Sequence, residues 1–457
     1  MTRRMIGMRR PLALLAVLSA TAAGACGDLT VPDYNNPAVD EFVNNPTPGA
    51  VRAAATGLQI GARLGLTDRT GYVAMLGVVG RESYIIDSSD PRYVSELLQG
   101  PLSNSGAFGA GMWTPRYANI RGANLLLAAL ENAEGFTPAE MEAIRGWAKT
   151  FQALDFLLVI NTRDVNGAPI AVEGDVNAPA PFVGKAAVFQ HIVALLEQGR
   201  THLQAGGASF PFSIGRGLSG FDTPQTFLQL NRALRARVAV YMGDYAGAVT
   251  LFPQTFLNTA GELDAGAYHT YASSEGQGND LANEFNYARP ALVTDAETQA
   301  GSTALDRRVL QKIGPHPSPR SQQGVSSDKA FLMYPDASAD LPLIDNEELI
   351  LLRAEARWFT GNKAGAMADL NLIRAEAGGL APIAGVPATD AAFVDLLLKE
   401  RKYSLMFEGH RWIDARRFGR LDTLGRDVST HVIVPRWAIP ESECLARGLP
   451  SPCDLGA

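Results

Sequence analysis

A dense group of ionisable side chains between residues 400 and 416 is the part of the sequence best suited to chemistry. Paired carboxylates can act as general acid and base, and His410 with Asp414, four residues later, would suit a metal on one helix face. Against both interpretations, Gly409 interrupts the helix and arginines stand beside the acids. Because buried charges persist when they are paired, a structural ion-pair network is the better interpretation. The predicted network consists of Glu400, Arg401, Glu408, Arg411, Asp414 and Arg416.

An internal repeat supplies elements that could position this network. Segments 234–248 and 352–366 share a Leu-Arg-Ala start and a Gly-x-x-Ala-Gly-Ala end at a constant offset. Each copy predicts a helix-turn-helix unit, with Gly243 or Gly361 ending the first helix in a left-handed turn. Such hairpins are similar to tetratricopeptide repeats, which bury their apolar faces by stacking on neighbours.

Two further helices have clear signals. An amphipathic stretch runs from Trp113 through Leu130. Thr137 is a cap residue, Pro138 stands at the first helical position, and Glu140 follows three residues after the cap. These features predict a helix from Pro138 to about Val159.

These patterns predict a mainly α fold built from tetratricopeptide-like helical hairpins. By length, residues 49–457 could form two or three ordinary domains or one large helical array, and the family resemblance described below implies one large domain. A long irregular insertion is predicted at about residues 261–341, which are rich in Gly, Ser, Asp, Asn and Pro. Loops of that length in a compact protein are often functional.

The N-terminus has the features of an export signal. Residues 1–25 contain four arginines followed by an apolar run that is too short to span a bilayer as a helix. Ala23-Gly24-Ala25-Cys26 is similar to a lipobox, so Cys26 is the predicted lipidation site. Plain secretion after an Ala-x-Ala-like cleavage is the alternative. Residues 26–48, rich in Asn, Pro and Asp, are predicted to be an extended tether.

Charge and cysteine usage narrow the functional class. Removing the signal, which has four arginines and no acid, changes the formal charge from −7 to −11. This acidic balance argues against nucleic-acid binding. In an oxidising compartment, Cys444 and Cys453 are candidates for a disulfide, and two free thiols are the alternative.

Several motifs, taken in order, resemble those of one family. The C-terminal run contains Glu400-Arg401, Phe407-Glu408-Gly409 and Arg411-Trp412-x-Asp414. The earlier motifs are Trp113-x-x-x-Tyr117-x-x-Ile120-x-x-x-Asn124, Asn166-Gly167-Ala168-Pro169-Ile170, Val434-Pro435 and Ile439-Pro440. Their order and spacing resemble the SusD/RagB lipoproteins over nearly the whole mature chain. Two departures are Ser404, where the family usually has a second Glu, and a C-terminal tail without the usual closing motif.

The resemblance implies a solute-binding lipoprotein of the outer membrane, facing the exterior. Its implied partner is a SusC-like TonB-dependent β-barrel, to which it delivers an oligosaccharide or similar polar nutrient. No cofactor, metal or catalytic residue is implied. Solutes of this family bind on loops, through aromatic rings and polar side chains. The candidate ligand-binding residues lie in two irregular segments and are Tyr84, Asp87, Arg92, Tyr93, Tyr271, Asn279, Asp280, Asn286, Tyr287 and Arg289.

Two other functional classes remain open from the residues alone. A helical polysaccharide-degrading enzyme could use some of the many carboxylates, although no spacing selects an acid and base pair. A tetratricopeptide-type scaffold would bind only proteins, although its regular period would not include the long polar insertion. The chain has no Gly-x-Ser-x-Gly, His-Glu-x-x-His or phosphate-binding glycine loop.

Overall fold

A computed structural model describes residues 39–174 and 178–456, and helices dominate the chain. The predicted signal peptide, Cys26 and most of the tether lie outside these residues. The α-helices are α1 Val39–Asn44, α2 Pro48–Arg63, α3 Tyr72–Val79, α4 Arg92–Ser95, α5 Ala107–Ala110, α6 Thr114–Leu130, α7 Pro138–Arg163, α8 Lys185–Ala205, α9 Pro224–Met242, α10 Tyr245–Leu251, α11 Ala291–Thr294, α12 Arg307–Lys312, α13 Asn346–Phe359, α14 Lys363–Glu376, α15 Asp390–Ser404, α16 Arg411–Arg417 and α17 Glu441–Leu445. The strands are β1 Ser83–Ile85, β2 Ala168–Pro169, β3 Phe182–Val183, β4 Gly266–His269, β5 Asn286–Ala288, β6 Ile313–Gln322, β7 Val325–Phe331 and β8 Leu341–Asp345. The predicted mainly α fold is confirmed.

The capping signals place α7 where the sequence predicted it. The Thr137 side chain accepts a hydrogen bond from the Glu140 backbone N–H, and the Glu140 side chain accepts one from the Thr137 backbone N–H. This reciprocal box satisfies N–H groups that the first turn leaves without partners. The helix continues four residues beyond the predicted end, to Arg163, and packs along α8.

Both copies of the repeat form helical hairpins. The first pairs α9 with α10, and the second pairs α13 with α14. Gly243 and Gly361 have φ angles of 77° and 89°, which confirms the predicted left-handed turns. Ala248 and Ala366 are fully buried, so α10 and α14 approach their partner helices closely. The two hairpins stack on each other through α10 and α13.

The insertion contains more regular structure than its composition indicated. Strands β6 and β7 form an antiparallel hairpin around Gln323 and Gly324, both with positive φ. Two left-handed residues in a tight turn match the right-handed twist of the strands beside them. The insertion also returns to the helical body, because β4 pairs with β8 just before α13.

Aromatic residues concentrate in the core. All five tryptophans are buried, which agrees with the prediction that most of them belong to the core: Trp113, Trp147, Trp358, Trp412 and Trp437. Trp358 stacks on Phe393 at 4.0 Å between ring centroids and joins α13 to α15. Cys444 and Cys453 form a disulfide that closes the C-terminal tail. In the part of the chain that the structure describes, no helix is long and apolar enough to cross a membrane.

Candidate functional site

A short antiparallel strand pair brings the two predicted loop segments together. In this pair, Ser83, Tyr84 and Ile85 of β1 lie opposite Ala288, Tyr287 and Asn286 of β5. The residues are far apart in sequence, and the ladder hydrogen bonds fix their register. The pairing continues past the strands, because the Ile86 backbone N–H donates to the Phe285 carbonyl at 3.0 Å, and it places Phe285 beside the first segment.

Phe285, just before β5, is the half-buried aromatic residue of this surface. The Arg69 guanidinium lies over its ring at 4.9 Å, and the Arg320 guanidinium lies over it at 4.6 Å. Such cation–π contacts hold the ring and both cations in place. Asp68 and Asp280 lie close to the same surface and repel each other. We name Asp68, Arg69, Asp280, Phe285 and Arg320 the Phe285 surface.

Hydrogen-bond donors hold the carboxylate of Asp87, which is buried beside this surface. Asp87 accepts hydrogen bonds from the Ser89 backbone N–H at 2.9 Å and the Ser89 hydroxyl at 2.6 Å, and it pairs with Arg69. Burial alone would raise the pKa of Asp87, but these bonds lower that pKa to about 2. Asp87 is thus an anion over the whole physiological range and orients Arg69 over Phe285. Desolvation and repulsion from Asp280 raise the pKa of Asp68.

The structure places the ten predicted ligand-binding residues in two groups. Arg92 and Asp280 are exposed, and Arg92 pairs with its neighbour Asp90 at 2.7 Å. The other eight are buried, which argues against direct contact with a solute at the surface: Tyr84, Asp87, Tyr93, Tyr271, Asn279, Asn286, Tyr287 and Arg289. The prediction failed to separate them because sequence polarity does not reveal burial inside an irregular segment.

Several of these buried residues shape the surface from beneath. Asn279 accepts a hydrogen bond from the Leu281 backbone N–H and donates one to the Ala339 carbonyl. The Asn286 amide donates to the carbonyl of Asp280 at 3.1 Å. These bonds fix the loop that displays the Asp280 carboxylate. Below Arg320, Tyr287 donates to the Ser318 carbonyl at 2.7 Å and so holds β6 against β5.

The sequence analysis missed Asp68, Arg69, Phe285 and Arg320. Phe285 was detectable, because it is a large apolar residue within a polar stretch, Asn-Glu-Phe-Asn-Tyr. Arg69 follows α2 by a few residues, and Arg320 lies in a strand that the sequence did not predict. Nothing local in the chain indicates that they meet Phe285.

The predicted C-terminal network consists mainly of buried ion pairs. Asp414 pairs with Arg401 at 2.7 Å and with Arg417 at 2.9 Å. Glu400 pairs with Arg308 at 2.9 Å and with Arg374 at 2.5 Å, which ties α15 to α12 and α14. These pairs link the last helices to the second hairpin. Arg416 lies 3.7 Å from Asp164 and donates to the Asn161 carbonyl at 2.6 Å, at the end of α7.

Glu408 does not follow the predicted pattern of an acid paired with an arginine. Its nearest cation among the described residues is Lys312, at 3.5 Å. Burial, opposed by Lys312 and reinforced by Glu347, raises the pKa of Glu408 to about 7. Ser404, which replaces the second Glu of the family motif, accepts a hydrogen bond from Arg308 at 3.0 Å.

The metal interpretation of His410 and Asp414 finds no support in the geometry. Across residues 39–174 and 178–456, no cluster of three or more His, Cys, Asp or Glu side chains could hold a metal ion. His410 lies 3.5 Å from the Tyr241 hydroxyl, and burial lowers the pKa of His410 to about 4. Asp414 is occupied by two arginines.

The fold is similar to that of solved SusD-superfamily structures. A SusD-like carbohydrate binding protein from Bacteroides fragilis matches with a TM-score of 0.69 and 15% identity, over 89% of this chain and 99% of that chain. Surface glycan-binding protein A from Bacteroides uniformis matches with a TM-score of 0.68 and 14% identity, over 89% and 99%. The same-named protein from Bacteroides thetaiotaomicron, in complex with laminarihexaose, matches with a TM-score of 0.65 and 13% identity, over 88% and 98%.

The sequence match covers the C-terminal motif. A family model described as the SusD family matches residues 322–441, and no curated protein matches the chain. The family match over residues 322–441 and the fold shared with SusD-like structures agree with the resemblance to the SusD/RagB family that the sequence motifs indicated.

Proposed function

We propose that this protein is an exported, lipid-anchored binding protein on the outer face of the outer membrane. It captures a carbohydrate and delivers it to a SusC-like TonB-dependent β-barrel transporter. It binds its solute without chemical conversion. Cys26 and the preceding signal support the anchor, and the family resemblance supports the transporter partner.

The observation that most supports carbohydrate binding is the Phe285 surface. A partly exposed aromatic ring can pack against the CH face of a pyranose. The flanking guanidinium groups and carboxylates are suited to hydrogen bonds with sugar hydroxyls. Two of the structural relatives, a SusD-like carbohydrate binding protein and a surface glycan-binding protein in complex with laminarihexaose, agree with this chemistry.

Calorimetry with a panel of oligosaccharides, on protein lacking residues 1–26, tests the proposal. We expect at least one oligosaccharide to bind saturably and to be recovered intact. Phe285→Ala should weaken its binding by about 10-fold, because aromatic stacking contributes on the order of 1 kcal/mol. Phe182→Ala is the matched control, since Phe182 is another half-buried ring beneath an arginine, Arg447.

Three results would contradict the proposal. Equal affinity of the wild type and of folded Phe285→Ala for the oligosaccharide would show that the Phe285 surface is not the binding site. Hydrolysis of the oligosaccharide by the pure protein would favour the enzyme alternative. Failure of all oligosaccharides, together with stable capture of a polypeptide, would favour the protein-binding scaffold.

A further inference from the structure

A cavity lies between α15 and α16, away from the Phe285 surface, and its wall has more cationic than anionic side chains. Its volume is about 460 Å³. The charged and hydroxyl-bearing side chains of its wall are Asp295, Asp395, Lys399, Lys402, Tyr403, Arg411, Asp414, Arg420 and Thr423. None of them belongs to the Phe285 surface.

Most charges of this wall are already paired. Asp414 is held by Arg401 and Arg417, Arg420 lies 3.1 Å from Asp395, and Lys399 lies 2.6 Å from Glu297. These pairs leave two cations of the wall, together with one acid, Asp295, whose side chain is 60% exposed.

Arg411 and Lys402 are those two cations. Arg411 donates to the Arg81 carbonyl at 2.8 Å and has no ion pair among the residues that the structure describes. Lys402 Nζ has a long contact, 3.5 Å, to the exposed carboxylate of Asp295, and it lies over the Tyr403 ring at 4.9 Å from the ring centroid. Burial and then repulsion from Arg411 lower the pKa of Lys402 to about 8. Two cations that repel each other in one cavity favour an anion between them.

Tyr403 adds an unused donor to the same wall. Its side chain is 1% exposed, and its hydroxyl has no hydrogen-bond partner among the described residues. A buried hydroxyl without a partner has lost its hydrogen bonds to water without replacing them, which has an energetic cost. A ligand oxygen in the cavity would remove that cost.

We propose that this cavity binds the oxyanion of a small solute, a carboxylate or a phosphate, with Arg411, Lys402 and the Tyr403 hydroxyl as donors. The guanidinium is suited to two parallel hydrogen bonds with such a group, and the ammonium adds charge. The cavity is large enough for the acid group to be attached to a larger body. This site goes beyond the proposed carbohydrate function and does not depend on the Phe285 surface.

Calorimetric titration of the soluble protein with inorganic phosphate, with glucuronate and with uncharged glucose tests this inference. We expect at least one of the two anions to bind saturably at one site, and to do so more weakly as salt increases. Glucose should not bind there. Phosphate binding without glucuronate binding, or the reverse, identifies which oxyanion the site prefers.

Two variants identify the site. Lys402→Gln should weaken anion binding by about 10-fold or more, because hydrogen bonds to charged groups contribute about 1.5–3 kcal/mol. Lys149→Gln is the matched control, since Lys149 is also half-buried with a pKa lowered by burial but lies outside the cavity. Tyr403→Phe removes only the unpaired hydroxyl, so it should lower anion affinity without lowering the melting temperature of the ligand-free protein.

A loss of affinity in either folded variant supports the inference. Saturable binding of neither anion, or equal binding by the wild type and both variants, would overturn it. Phe285→Ala should leave anion binding unchanged. Failure of this site and failure of the proposed carbohydrate function are therefore distinguishable.

Discussion

At the residue scale, buried charge is handled in two different ways. Asp414 and Glu400 each have two arginine partners, so their ionised forms are stabilised. Glu82, which is fully buried, and Glu408, whose side chain is 9% exposed, have no arginine at ion-pair distance among the described residues. Glu82 accepts a hydrogen bond from the Phe407 backbone N–H at 3.0 Å, and its second oxygen has no partner there.

The pKa of Glu82 predicts a pH-dependent stability. Burial, only partly offset by Arg411, raises the pKa of Glu82 from 4.5 to about 7. Between these pH values the folded chain holds a proton that the unfolded chain has released, so the free energy of unfolding falls as pH rises. Glu82→Gln keeps an oxygen for Phe407 but does not titrate. Urea unfolding between about pH 5 and about pH 8 should therefore show a smaller decrease in Glu82→Gln than in the wild type.

Glu134→Gln is the control for this measurement. Glu134 is exposed, so its replacement should leave the pH dependence of unfolding as in the wild type. An identical decrease in Glu82→Gln and the wild type would show that Glu82 does not titrate differently in the folded chain.

At the element scale, the helical hairpins depend on the glycine at each turn. Gly361 ends α13 with a φ of 89°, and a Cβ added there would meet nothing within 4 Å. The conformation itself is therefore the constraint, since L-residues avoid positive φ. The second core cluster, centred on Trp358 and Leu370, lies directly on this hairpin.

We expect Gly361→Ala to lower the free energy of unfolding by about 1–2 kcal/mol, which is the backbone cost of a left-handed alanine. Gly57→Ala is the matched control. Gly57 lies inside α2, and its added Cβ would also meet nothing within 4 Å. There alanine should stabilise the protein by about 0.5–1 kcal/mol. Urea denaturation of both variants measures the difference, and equal effects would contradict the backbone explanation.

At the scale of the whole molecule, ordered helices support two different polar sites. The Phe285 surface depends on a strand pair between distant segments, whereas the cationic cavity lies between α15 and α16. The C-terminal network joins the second hairpin to α7 and α15, so both sites belong to one connected body. The described part begins at Val39, inside the predicted tether, where residues Val39–Asn44 form a helix instead of the extended chain that was predicted.

The proposed lipid anchor on Cys26 predicts where a variant without it is found in the cell. We expect Cys26→Ser to release the protein from the outer-membrane fraction, because acyl chains contribute about 0.8 kcal/mol for each buried methylene. Fractionation and labelled-fatty-acid incorporation measure this. The cysteine-matched control, Cys444→Ser with Cys453→Ser, should stay in the membrane fraction and melt at a lower temperature. Membrane retention and fatty-acid labelling of Cys26→Ser would contradict lipidation at this residue.

The sequence by itself determined the mainly α class, the capped start of α7 and the two hairpin turns. These features depend on local chemistry: a Thr with a Glu three residues later, and glycines able to adopt positive φ. The C-terminal motif could also be recognised from the sequence, because its residues lie within one short segment.

Only the tertiary structure decided which polar residues reach solvent. Tyr84 and Tyr287 are paired across β1 and β5 and buried, whereas Phe285 beside them is partly exposed. Arg69, Phe285 and Arg320 come from three separate segments, and the cationic cavity likewise needs α15 packed against α16. Contacts between distant segments depend on packing of the whole chain, so no local pattern encodes them.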